Sequence, residues 1–242
     1  MKKLLFVLAC TLFCFSAKAE DITNPFYMPL KNKGLSDTSV SYAKDTYKPR
    51  GGSFTDERTV LNESLMFGLA DNLALTGKVG NRFVSGGDDT NVYWGIGGVY
   101  ALYMQDSPEL LMHFGASYAQ EGHYRDLEAF ARIGYAADMV FLPYAEARFM
   151  QPVNHGEANN EPVFSARLAG YSMIKEKVGI RAGFDFVYDH ENARQQAYSV
   201  FAEAEYVIGE RVAVGVSGAY LFHDTGVQSS AFSLGANVKI AF

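Results

Sequence analysis

From about residue 36 onward the chain is a succession of segments, each roughly ten to fourteen residues long, in which apolar and polar side chains alternate. The clearest places Val212, Val214, Val216, Tyr220 and Phe222 on one face, with Ala213, Gly215, Ser217 and Ala219 on the other. A second sets Val178, Ile180, Phe184, Phe186 and Tyr188 against Gly179, Arg181, Gly183 and Asp185. A third sets Phe232, Leu234, Val238, Ile240 and Phe242 against Ala231, Ser233, Gly235, Asn237 and Lys239. Period two over such lengths puts one face of a β-strand in an apolar medium and the other in a polar one.

The pattern predicts about twelve strands: 38–47, 58–68, 73–83, 91–104, 109–120, 126–137, 142–152, 162–173, 177–189, 196–207, 211–223 and 229–242. Connections alternate in character. Those at 70–72, 106–108, 138–139, 175–176 and 209–210 are short, whereas 48–57, 84–90, 121–125, 153–161, 190–195 and 224–228 are longer and more polar. Short turns at one end and long loops at the other is the layout of a transmembrane β-barrel. Twelve strands also bring both chain ends to the short-turn side, which in that layout is the periplasm. A soluble sandwich would hide the apolar face in its core, but its strands are mostly about five to six residues long, against the roughly nine to eleven that cross a bilayer at a tilt.

Three places fit poorly. In 58–68, Leu61, Leu65 and Phe67 share a face with Glu63. The first strand is weakly apolar, and both faces of 91–104 are apolar. A ten-strand barrel with an irregular N-terminal section is therefore the second expectation. Residues 20–36 contain Pro25, Pro29 and Gly34 and lack a strand pattern; they are expected to form a periplasmic lead-in tucked against the barrel mouth, with the barrel itself at 37–242.

The first nineteen residues are an address. Met1-Lys2-Lys3 is basic, Leu4 to Phe15 is apolar, and Ala17 and Ala19 are the small residues that a signal peptidase reads. Val7-Leu8-Ala9-Cys10 looks like a lipobox, but it leaves almost no apolar run before the cysteine. Cleavage after Ala19 removes Cys10 and Cys14, the only two cysteines in 242 residues, and takes the formal net charge from −6 to −9. That excludes a disulfide scaffold and cysteine-ligated metal. The acidity argues against a nucleic-acid partner, since phosphate binding needs a basic patch. With 48% hydrophobic and 20% charged residues the chain is too apolar for disorder, and no later run is long enough for a spanning helix.

The last strand carries a more specific mark. Ser233, Gly235, Val238, Ile240 and the terminal Phe242 form an amphipathic strand with an aromatic end, suited to pairing with a sheet edge. It is similar to the C-terminal assembly signal of Gram-negative outer-membrane β-barrel proteins, and with the signal peptide and strand pattern the chain resembles that class. The resemblance implies an all-β, antiparallel, up-and-down barrel in the outer membrane. Its implied partners are outer-membrane lipid, lipopolysaccharide and, during biogenesis, the barrel-assembly machinery. It names no family and leaves the oligomeric state open.

Turning the cleaner apolar face to lipid leaves a polar lumen. Its candidate lining charges are Lys78, Arg82, Glu128, Arg132, Glu146, Arg148, Arg167, Arg181, Asp185, Glu203, Glu205 and Lys239. The run Arg132, Glu146, Arg167, Asp185, Glu203 alternates in sign over neighbouring strands. Opposed charges can select solutes in a small pore, or pair to brace a closed lumen. A barrel of about eight strands is filled by side chains and one of sixteen leaves a channel, so twelve leaves both readings open. The leading function is a small porin-like channel for hydrophilic solutes. The alternative is a structural or surface-interaction barrel with an occluded lumen.

A barrel enzyme is the remaining class. Asp88-Asp89 and His223-Asp224 resemble the paired acids and the Asp/His pair of outer-membrane aspartyl-type proteases, yet each pair here is adjacent where that family has one residue between. His113 and Ser117 share a strand face about 13 Å apart, too far for a hydrogen bond. His123, His155, His190 and His223 fall at the long-loop end among acidic residues, but without metal-ligand spacing. No catalytic residue, metal or cofactor is expected. Aromatic residues near strand ends, among them Phe83, Trp94, Tyr118, Tyr135, Phe149, Tyr198, Tyr206 and Tyr220, are expected to form two interfacial girdles.

Overall fold

The structure is a computed structural model. It describes residues 21–48, 54–85, 90–103, 109–136, 141–153, 161–189, 195–223 and 228–242. The signal-peptide expectation, and those for Asp88, Asp89, His155, His190 and Asp224, lie outside these residues, as does the side chain of His223.

The described chain holds twelve strands: β1 (Gly34–Lys48), β2 (Phe54–Ala70), β3 (Leu73–Val84), β4 (Thr90–Tyr103), β5 (Leu110–Glu121), β6 (Tyr124–Tyr135), β7 (Leu142–Pro152), β8 (Val163–Ile174), β9 (Val178–Asp189), β10 (Gln195–Ile208), β11 (Val212–His223) and β12 (Gln228–Ala241). Each pairs antiparallel with its sequence neighbours, and β1 pairs with β12, so the sheet closes on itself and has no free edge. The ten-strand alternative is overturned. β1 is hydrogen-bonded along its length to both β2 and β12, because main-chain pairing in a closed barrel does not need a strongly apolar strand. It begins at Gly34, so residues 34–36 belong to the barrel rather than to a lead-in.

Alternation along each strand sorts side chains into two environments. In β6, Leu127, Ile133 and Tyr135 are exposed on the outer face, whereas Glu128, Phe130, Arg132 and Gly134 turn inward. Leu168 and Phe184, directly paired between β8 and β9, are 64% and 66% exposed. Large apolar side chains that exposed are the lipid-facing wall of a transmembrane barrel. Aromatic pairs collect on that wall towards the long-loop end: Trp94 with Tyr118 at 5.5 Å, Phe149 with Phe164 at 5.0 Å, and Phe186 with Tyr198 at 5.2 Å between ring centroids.

One connection is tighter than the sequence suggested. β5 and β6 are joined by Gly122 and His123 alone, with Gly122 at φ 59°. A two-residue hairpin lets both strands run past the span, so 121–125 is not a long loop and Asp126 lies within β6. At the other end, Lys175 and Glu176 both take positive φ, and Lys177 N donates to Ile174 O at 3.1 Å, closing the β8–β9 turn.

Glu63 stands on the outer face, between Thr38 of β1 and Val79 of β3. The hydroxyl of Ser36 donates to its carboxylate at 2.5 Å, and that of Thr38 donates to the other oxygen. The mixed phase of this strand is thus a real charge on the outer wall, held by two hydroxyls of the neighbouring strand.

Candidate functional site

The inner wall is built from the alternate residues that point away from lipid. All twelve candidate lumen residues stand on this face. Four of them lie in a single row in the hydrogen-bonding direction: Arg132 of β6 pairs with Glu146 of β7, which pairs with Arg167 of β8, which pairs with Asp185 of β9. The row continues to His113 on one side and to Ser199 on the other. Glu203 is not its next member, as the sequence pattern suggested. Register places Glu203 opposite Arg181 in a second row, where the two form an ion pair.

Successive strands thus bring opposite charges face to face, and several of them pair directly. Arg132 Nε donates to Glu146 Oε2 at 2.6 Å. Arg148 donates through Nε to Glu146 at 2.5 Å and through Nη1 to Glu128 at 2.8 Å. Arg167 grips Asp185 with two bonds, at 2.7 and 2.9 Å, while its guanidinium lies 4.2 Å from the centroid of the Phe201 ring. Lys239 Nζ donates to Glu205 at 2.9 Å, and Arg82 meets Glu121 at 3.2 Å. Lys78 lines the lumen with no such partner among the described residues. Charge-assisted bonds of this kind hold long side chains in one geometry, so the β6–β10 wall is a rigid charged ladder.

Sequence reasoning missed Asp37, Asp45 and Arg58. They also face inward, with Arg58 and Asp45 3.6 Å apart. Their strands β1 and β2 had no clean apolar phase, so no lumen face was assigned there. It also missed the apolar inner side chains Phe130, Phe201 and Val99.

Residues 21–33 occupy the short-turn mouth. Asp21 and Asn24 fold the chain into turns, accepting from Thr23 N at 3.2 Å and Phe26 N at 2.8 Å respectively. Ile22 and Thr23 are each only 1% exposed. Tyr171 donates its hydroxyl to the Asp21 carboxylate at 2.7 Å and lies 2.6 Å from Thr23 Oγ1. Arg132 donates to the carbonyl oxygen of Pro25. The Phe26 ring meets His113 edge-on at 5.1 Å and Tyr144 at 6.0 Å. Met28 packs with Ala74, Val99 and Ala101, which explains why both faces of β4 are apolar: one meets lipid and the other meets this segment. Main-chain bonds between Asn32, Lys33 and Gly68 then lead into β1. Gly68 permits this close approach, since a Cβ there would stand 2.2 Å from the carbonyl oxygen of Leu30.

Beyond this segment the described residues do not fill the lumen. A cavity of about 530 Å³ lies between residues 22–27 and the inner face of the barrel. Two more follow the small inner residues of β1, β11 and β12 towards the long-loop end, of about 230 Å³ at Ser39, Ser41 and Ser217, and of about 390 Å³ at Ala43, Ala219 and Ala231. Among the described residues, His, Cys, Asp and Glu form no group of three that could hold a metal ion. His113 is buried against Phe26.

A scan against protein-family models finds no match, and a search of curated proteins by sequence finds none. Solved structures do share the fold. An outer membrane channel from Pseudomonas putida F1 superposes with a TM-score of 0.71 at 10% identity, covering 89% of this chain and 97% of that one. The NanC porin gives 0.59 at 9% identity, covering 83% and 98%. The translocator domain of the autotransporter NalP from Neisseria meningitidis gives 0.58 at 9% identity, covering 100% and 94%. At such identities the likeness is one of architecture, and the architecture is that of the outer-membrane β-barrels.

Proposed function

We propose that the protein is a small outer-membrane channel for hydrophilic solutes, with residues 21–33 narrowing its short-turn mouth. The observation that carries this reading is the succession of unfilled spaces along the inner wall, about 530, 230 and 390 Å³, beside a ladder of fixed charges. A barrel that only braced the membrane would gain by filling them, because interiors pack to few voids. Lumen charges whose ion pairs hold them in place, with solvent space beside them, are what a selective pore needs. The likeness to an outer membrane channel and to a porin supports the same reading. It is a transport reading rather than an enzymatic one: His113 is packed under Phe26 instead of standing beside a nucleophile.

One observation favours a second reading, an occluded barrel: residues 22–29 are mostly buried and anchored by Tyr171 and Arg132. Planar-bilayer recording separates the two. The folded barrel should carry a steady single-channel current, and removing residues 21–30 should enlarge it. Current only after that deletion would make the segment a true closure. No current in either form would end the channel reading.

A further inference from the structure

Charges of both signs face the lumen, but they are unequally presented. On the ladder wall most acids lie beneath their partners; Glu203, 25% exposed against 17% for Arg181, is the exception and borders a different cavity. The Glu146 side chain keeps 2% exposure under Arg132 and Arg148, whereas that of Arg148 is 43% exposed. Arg148 also caps Glu128, and Lys239 covers Glu205. Asp37 lines the same cavity, but it stands opposite Lys239 in register and accepts from Asn237 at 3.4 Å. Elsewhere on the lining of this cavity Lys78 is flanked in its row by Ser64 and Gly95, which carry no charge. Gly95 makes room for its stem: a Cβ there would come within 2.8 Å of Lys78 Cε. The hydroxyls of Ser64 and Ser117 border the same space.

We propose that the cavity above residues 22–27 is a binding site for small organic anions, a carboxylate being held between the Lys78 ammonium and the Arg148 guanidinium. The inference builds on the channel reading and narrows it to anionic solutes. A carboxylate entering here meets an ammonium with three uncommitted donors, the exposed guanidinium, and hydroxyls that can complete its hydrogen bonds. A cation of the same size meets acids already covered by their own partners. The lumen charges nearly balance in number, so selectivity comes from which of them reach the open space.

Two measurements on the folded barrel test this. Reversal potentials across a bilayer under a KCl gradient should give a chloride-to-potassium permeability ratio above unity. Lys78→Glu should bring it below unity and Lys78→Arg should keep it above. Calorimetric titration with sodium succinate should show binding, weakened about tenfold or more in Lys78→Gln, as expected for a lost charge-assisted bond. A conducting barrel whose ratio is at or below unity, or does not move in Lys78→Glu, overturns the anion site and leaves the channel standing. Absence of current in every variant overturns the channel reading instead. The titration then decides the site: no succinate binding overturns it too, and binding lost in Lys78→Gln retains it.

Discussion

Arg132 and Glu146 face each other directly across β6 and β7, and the carboxylate is enclosed between that guanidinium and the one of Arg148 two residues along its own strand. Arg132 also donates to the carbonyl of Pro25. One arginine therefore joins the charged ladder to the segment in the short-turn mouth, so the rigidity of the wall and the seating of that segment are coupled.

Glu146→Ala leaves two guanidiniums without their shared partner in a poorly hydrated place. Breaking a buried pair in this way costs about 3–5 kcal/mol. The expected result is a lower urea midpoint for the barrel folded in lipid vesicles, with most of the loss recovered in Arg132→Met/Glu146→Leu. A double variant that loses the sum of the two single losses would show that the pair is not coupled.

Glu63 is a charge on the lipid-facing wall, with Leu61 and Leu65 beside it. Glu63→Leu should stabilise the barrel in vesicles by about 1 kcal/mol, since acidic side chains on that face cost less than basic ones but still cost. A destabilised variant would mean that the bonds from Ser36 and Thr38 outweigh the cost of placing the carboxylate in lipid.

The main chain of Phe242 adds the last pair of bonds to the β1–β12 seam that closes the barrel. Gly34 N donates to Phe242 O at 2.7 Å, and Phe242 N donates to Gly34 O at 2.9 Å. Removing Phe242 should reduce the amount of heat-modifiable, folded barrel recovered from outer membranes while leaving synthesis unchanged. Normal recovery would show that the assembly signal lies elsewhere.

Tyr171 anchors the segment through Asp21 and Thr23. In Tyr171→Phe the amides of residues 22–28 should exchange with solvent faster, and those of β8 should not. Hydrogen bonds to charged groups contribute about 1.5–3 kcal/mol, which corresponds to roughly tenfold or more in local opening. Unchanged exchange would assign the anchoring to Arg132 and Phe26.

Most of the barrel was legible in the chain because its signal is local. In β9, β11 and β12 a two-residue alternation runs the whole strand, and it fixes both strand length and which face is wet. It blurred where a strand answers to more than lipid and water. β4 is apolar on both faces because Val99 and Ala101 meet Met28, a contact between distant parts of the chain that no period reveals. β2 carries Glu63 outward because hydroxyls on β1 receive it. The charged ladder was visible as a run of signs, but its order depends on register, which moved Glu203 into the row of Arg181. The seat of residues 21–33 was the least legible part: Asp21 and Tyr171 are 150 positions apart, and nothing near either announces the other.

The most direct test of a wet tube inside an apolar wall uses adjacent positions on one strand. Ser199 of β10 faces the lumen, and Val200 is exposed on the outer wall. The chain's only cysteines, Cys10 and Cys14, lie within the first nineteen residues, so a barrel lacking them carries any introduced thiol alone. A charged, membrane-impermeant thiol reagent applied to the barrel in a bilayer should modify Ser199→Cys and cut its current, and should leave Val200→Cys untouched. Modification of Val200→Cys with Ser199→Cys protected would contradict the account, because the apolar face would then be the one in contact with water.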